Sequence, residues 1–187
     1  MLSIAELGEF VDTHLTRHAF RLELLDAYEA ASDGGQFGRY VAGEPAPGPD
    51  VFGPWLERLR AERAAGVTRQ RVHVVTRPLS PYVRYECEWG YTATGGVGED
   101  IRILDLTGHQ FPAWIPPRDF WLIDDEHVIE MHYDHTARFS GAVVLGQEHV
   151  PAHRAARDRL VAAAEPFGPW WAAHPEEHRQ YWRHSAA

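Results

Sequence analysis

The sequence contains no lysine: all 18 basic residues are arginine. A Schiff-base lysine, a P-loop lysine and a kinase-type lysine are therefore excluded, and so is a His-Lys-Asp phosphodiesterase site. Cys87 is the only cysteine, so neither an intrachain disulfide nor a cysteine-based zinc knuckle can form. No apolar run approaches the ~18 residues that suggest a membrane span. The first residues, Met1 to Glu6, lack the basic and apolar regions of a secretion signal, and the chain reads as cytoplasmic. No Gly-x-Ser-x-Gly elbow and no HExxH motif occurs, and Gly95, Gly96 and Gly98 lack the strand–helix setting of a dinucleotide fingerprint.

Basic residues do not cluster, and the 27 acidic against 18 basic residues give a net charge of -9. Such a surface repels phosphate backbones, which disfavours direct nucleic-acid binding. Hydrophobic residues make up 44% and charged residues 24%, a globular balance, and the length of 187 suits one hydrophobic core.

Hydrophobic periodicity divides the chain. Ser3 and Glu6 have capping-box spacing, and Ile4, Leu7, Phe10, Val11 and Leu15 recur at helical intervals, which predicts a helix over 4–16. A strand is expected over 19–28, a turn over 32–35, a short helix over 36–43, a proline-rich loop over 44–50 and a helix over 54–65 that Gly66 stops. Val72, Val74 and Val75 mark a buried strand over 70–76. The segment from Pro81 to Trp89 carries two patterns. Val83, Tyr85, Cys87 and Trp89 alternate as in a strand, whereas Ser80 and Pro81 are an N-cap and a first-turn proline; the helix is preferred. A glycine turn over 94–98 and a strand over 101–106 follow. Strands over 119–123, 127–133 and 138–145 and a helix over 150–165 come next. The expected fold is α+β: a single mixed or antiparallel sheet with a C-terminal three-strand meander and helices mainly on one face. Residues 1–165 form the domain, and 166–187 form a tail rich in Trp and His.

Three constellations offer chemistry. Arg84, Glu86, Glu99, Asp100, Arg102 and Asp119 would converge if the helix at 81–89 packs beside the strand at 101–106, either as an ion-pair network or as a pocket in which Arg84 or Arg102 grips an anion. Glu130, His132 and Asp134 share one face of a strand, with His127 and His135 nearby. They are either a divalent-metal set or simply the solvent face of a meander. Arg21 and Glu23 share a strand face beside His18, a conceivable general base or a surface contact. Cys87, among Val83, Tyr85 and Trp89, reads as a small buried hydrophobe. Trp170, Trp171, Tyr181 and Trp182 are expected either to close over the domain's own core or to meet a partner. No cofactor is implied.

Several segments together resemble an uncharacterised actinobacterial domain family commonly encoded beside helix-turn-helix regulators. They are His18 to Glu23, Arg71 to Val75, Pro78 to Glu86, Gly98 to Leu104 and Asp119 to Asp125, within a span of about 15–160. The resemblance implies a regulatory role and a protein partner, with no established activity to carry over. The last strands are similar to half of a phospholipase-D-like sheet, whose chemistry the missing lysine forbids. The tail beyond Glu165 departs from the family pattern. The leading expectation is thus a non-catalytic cytoplasmic partner protein. The alternative is a small-molecule binder or enzyme of specialised metabolism that uses the Arg and carboxylate residues around Arg84, Glu86 and Asp119.

Overall fold

The computed structural model describes residues 1–29 and 34–182, so residues 32 and 33 of the expected turn lie outside it. Ser3 and Glu6 close the capping box of α1 (Ile4–His14), each side chain accepting from the other's backbone N–H. The chain continues through β1 (His18–Glu23), α2 (Gln36–Ala42), α3 (Pro49–Ala64) and β2 (Thr68–Val75). A long helical run follows: α4 (Pro81–Tyr85), a π-helical segment (Glu86–Tyr91) and α5 (Thr92–Gly95). Then come β3 (Asp100–Asp105), β4 (Phe120–Ile123), β5 (His127–Tyr133), β6 (Phe139–Val144) and α6 (Val150–Ala163). The C-terminal elements are β7 (Glu165–Pro166), α7 (Phe167–Ala173) and α8 (Arg179–Trp182).

The strands form one mixed sheet in the order β6-β5-β4-β1-β2-β3-β7. β1, β2 and β3 are parallel, and β4, β5 and β6 are the antiparallel meander. Asp124 and Asp125 turn the β4–β5 hairpin with φ of 53° and 61°, a left-handed pair that aspartate tolerates better than most residues.

The sheet has two unlike faces. Phe20, Leu22, Val72, Val74, Phe120 and Leu122 form an apolar layer with Val150 and Leu160 of α6. The opposite face receives α1 over Ala19, Ile123 and Ile129, and α4, the π-helical segment and α7 over Val75, Ile101 and Ile103. Helices therefore crowd one face, as expected, and α6 covers the other. Among the described residues no helix is long and apolar enough to cross a membrane.

Local signals account for the differences from expectation. The 81–89 segment is helical because Ser80 Oγ accepts from Val83 N at 3.1 Å and Pro81 fills the first turn; the helix then runs on to Gly95. α3 begins at Pro49, so Pro54, expected to start the helix, lies inside it. β1 ends at Glu23, short of 28. Beyond 165 the chain docks: Glu165 and Pro166 pair with β3, while Phe167 and Trp170 are buried in the core.

Candidate functional site

Arg21 and Glu23 of β1 and Arg71 and His73 of β2 lie on the helix-crowded face at the parallel centre of the sheet. Their strand neighbours Leu22 and Val72 fill the apolar layer behind. Arg21, Glu23 and Arg71 form the floor of a cavity of about 430 Å³. Tyr28, Tyr82, Tyr85, Glu86, Tyr91 and Tyr133 line its walls. Leu7, Trp121 and Phe139 supply apolar surface.

The π-helical segment places two of these groups. An i→i+5 turn is wider than an α turn, and such turns recur at functional sites. Glu86 and Tyr91, five apart, both reach the cavity, while Cys87 is buried in the core behind them. Thr92 Oγ1 donates to the Cys87 carbonyl at 2.8 Å, which satisfies an acceptor inside this irregular stretch.

Carboxylates bind the two arginines from below. Glu23 Oε2 accepts from Arg71 Nη1 at 2.8 Å, and Glu23 Oε1 lies 3.5 Å from Arg21 Nε. Arg71 also meets Glu99 at 3.1 Å, across the turn where Gly98 adopts φ 108° and where a Cβ would strike Arg63. Arg21 Nη2 donates to Tyr133 Oη at 2.9 Å and to Asp119 at 3.3 Å. Asp119 further accepts from Tyr28 Oη at 2.6 Å and from Leu24 N at 3.0 Å. The Arg21 guanidinium lies 5.2 Å from the Trp121 ring centroid, a cation–π contact. Tyr91 Oη lies 2.7 Å from His73 Nδ1 and 3.0 Å from Glu23 Oε2. Its one proton is shared between two acceptors whenever His73 is neutral and directs its Nε2–H to the Leu25 carbonyl.

One donor is left over. Arg21 Nη1 is buried and has no hydrogen-bond partner among the described residues, and the side chain, only 7% exposed, lines the cavity. Glu99 Oε2 is likewise without a partner.

Burial and charge set the protonation states. Burial opposes ionisation of Glu23, but Arg71 and Arg21 outweigh it and hold the carboxyl at about 2. Burial pushes Glu86 up to about 7, reinforced by repulsion from Glu23. Burial also raises Asp119 and lowers His73, which favours their neutral forms.

The expected constellations are only partly assembled. Glu86, Glu99 and Asp119 join this network, together with Arg21 and Glu23 from another expected group. Arg84 does not: its guanidinium turns to Glu177, at 2.7 Å, because it leaves the helix toward the docked tail. Asp100 and Arg102 pair with each other at 3.2 Å on the opposite face of the sheet, since strand alternation separates them from Ile101 and Ile103. His18 also lies away from the cavity, with Nδ1 2.8 Å from Thr68 Oγ1.

The three expected metal ligands do not converge. Glu130 contacts His132 and Arg118, each at 3.1 Å, whereas Asp134 lies beyond β5 and accepts from Thr136 in a turn. No group of three or more His, Cys, Asp or Glu side chains among the described residues is placed to hold a metal ion. Of the tail aromatics, Trp170 is buried in the chain's own core and Trp171 packs against it.

Sequence reasoning missed Arg71, His73, Tyr28, Tyr82, Tyr91 and Tyr133 as one site. A signal was present in β2, where Arg69, Arg71 and His73 alternate with Gln70, Val72 and Val74. Polar residues at period two inside a central strand must find partners.

The family model described as a domain of unknown function, DUF6879, matches residues 5–172. Comparison with curated proteins finds no match.

Proposed function

The chain belongs to the DUF6879 family, and from that premise we propose that the cavity binds a small, partly aromatic molecule that presents an oxygen acceptor to Arg21. The observation that carries this reading is the unpartnered Nη1 of Arg21, a residue that lines the cavity. Buried polar groups are almost always satisfied, and an unsatisfied charged donor is costly. A ligand oxygen would complete the guanidinium, whose other nitrogens are already held by Asp119, Tyr133 and Glu23. A volume of about 430 Å³ falls within the roughly 300–1,000 Å³ of ligand pockets. The walls supply flat aromatic surface, and the floor is fixed by ion pairs on two sheet strands, so the site is held ready rather than assembled.

The reading suits the regulatory role that the family resemblance implies, because a protein that reports a metabolite to a regulator needs an interior site to sense it. A thermal-shift screen of small hydroxylated aromatic compounds tests it. A ligand at a hundred times its dissociation constant stabilises the fold by about 2.7 kcal/mol, a rise of several degrees in Tm for a domain of this size. The shift should vanish in Leu7→Trp, which fills the cavity from α1. A screen in which no compound moves Tm, or in which Leu7→Trp responds like the wild type, contradicts the proposal.

A further inference from the structure

We infer that the ligand carries, besides its oxygen acceptor, a protonated amine that sits against the Glu86 carboxylate among the rings of Tyr28, Tyr82, Tyr85 and Tyr133. The inference rests on the binding reading above and adds the charge of the molecule bound.

Charge balance is the first support. Two arginines, Arg21 and Arg71, face three carboxylates, Glu23, Glu99 and Asp119, within salt-bridge or hydrogen-bond reach. Burial raises Asp119 toward its neutral form, so the two arginines are matched by Glu23 and Glu99, and an ionised Glu86 is negative charge in excess. No arginine or histidine among the described residues lies within ion-pair distance of Glu86, and its hydrogen-bond partner is the neutral Tyr82. An anionic ligand would add to the excess in a low-dielectric cavity, whereas an ammonium would remove it.

The walls are the second support. Tyr28 packs against Tyr82 and Tyr133 with ring centroids 6.0 Å and 5.3 Å apart, and Tyr82 lies 5.8 Å from Tyr85. Clustered aromatic faces beside a carboxylate are the surroundings in which proteins hold alkylammonium groups. The unpartnered Arg21 Nη1, on the floor, is the separate donor for the oxygen end of the same molecule.

The groups that face Glu86 set its response to pH. Glu23 comes from β1, Arg71 from β2, Glu99 from the turn before β3, and Tyr82 and Tyr91 from the same helical run. With its carboxyl at about 7, Glu86 is largely protonated at pH 6. Binding of an ammonium then expels the Glu86 proton to the buffer, and affinity rises between pH 6 and pH 8, where the amine stays charged.

Tyramine, tyrosol and 4-hydroxyphenylacetate share a skeleton and differ in charge, and isothermal titration of the full chain with each tests the inference. Tyramine should bind at least tenfold more tightly than tyrosol at pH 8. At pH 6 it should release protons, seen as a dependence of the heat on buffer ionisation enthalpy. Glu86→Gln should abolish the tyramine advantage over tyrosol; the wild-type pH profile tests the same point without a variant. Preference for tyrosol or for 4-hydroxyphenylacetate overturns the amine and leaves the binding site standing. Silence from all three overturns both.

Discussion

Arg21 and Arg71 are direct register partners on the parallel strands β1 and β2, the first buried and the second half-buried, with Glu23 reaching each of them. Like charges opposite one another in a sheet repel. The arrangement holds because a shared carboxylate lies between them and because Asp119 and Glu99 draw the two guanidinium groups outward.

Glu23→Gln removes the shared charge and leaves two cations side by side on the sheet. We expect a loss of about 3–5 kcal/mol in urea unfolding, the range for breaking a buried ion pair. Glu29→Gln, which breaks the exposed and solvent-screened pair with Arg138, should lose far less. Comparable losses for the two variants would show that the floor is not a coupled network.

Glu86 acts in the opposite sense. Its carboxyl is raised from 4.5 in the unfolded chain to about 7, so the folded state binds the proton more tightly. That contribution is fully present below about pH 4.5, declines as pH rises, and is gone above about 7, where the folded state holds a buried carboxylate. Glu86→Gln should therefore stabilise the free protein at pH 8 by up to ~3 kcal/mol, with little gain at pH 4.5. Urea titrations at the two pH values check this; an equal effect at both contradicts it.

Glu177 anchors the tail. Its Oε2 accepts from Arg84 Nε and Nη2, at 3.1 and 2.7 Å, and from Leu79 N at 3.1 Å, all in a buried setting. Glu177→Gln should destabilise the domain by about 3 kcal/mol, since the buried Arg84 charge loses its carboxylate. Protease cleavage after Trp170 should become faster in the same variant. Unchanged stability would make the tail dispensable.

Asp124 joins the start of β1 to the β4–β5 hairpin by accepting from Thr16 N, Arg17 N and His18 N at 2.9, 2.8 and 2.7 Å. Burial raises its carboxyl, but these bonds prevail and hold it at about 2, below the ordinary 3.8. The stabilisation is present above 3.8 and is lost as pH falls toward 2. Asp124→Asn, which keeps the positive-φ tolerance, should unfold less steeply with acid between pH 4 and 2 than the wild type. Identical acid profiles would rule the clamp out.

Much of the fold was legible in the sequence because its signals were local. The Ser3–Glu6 box, the Ser80–Pro81 helix start and the alternation of His127 to Tyr133 each depend on near neighbours. The site was legible in part. Glu86, Glu99 and Asp119 were singled out as charges that would converge, and Arg21 as sharing a strand face with Glu23. The partners were not, because β1–β2 pairing brings Arg71 to Glu23 across 48 positions of chain, and Tyr133 reaches Arg21 across 112. Arg84 and Arg102 misled for the same reason: which way an arginine turns depends on a distant carboxylate, Glu177 for one, and on strand parity for the other.

A crystal structure of the protein soaked with tyramine tests the central claim most directly, because it shows what Arg21 Nη1 meets. Tyramine is expected in the cavity with its hydroxyl oxygen about 2.9 Å from that nitrogen. An Arg21 whose Nη1 donates to a carbonyl or carboxylate of the protein itself, in a cavity that excludes tyramine, would contradict it.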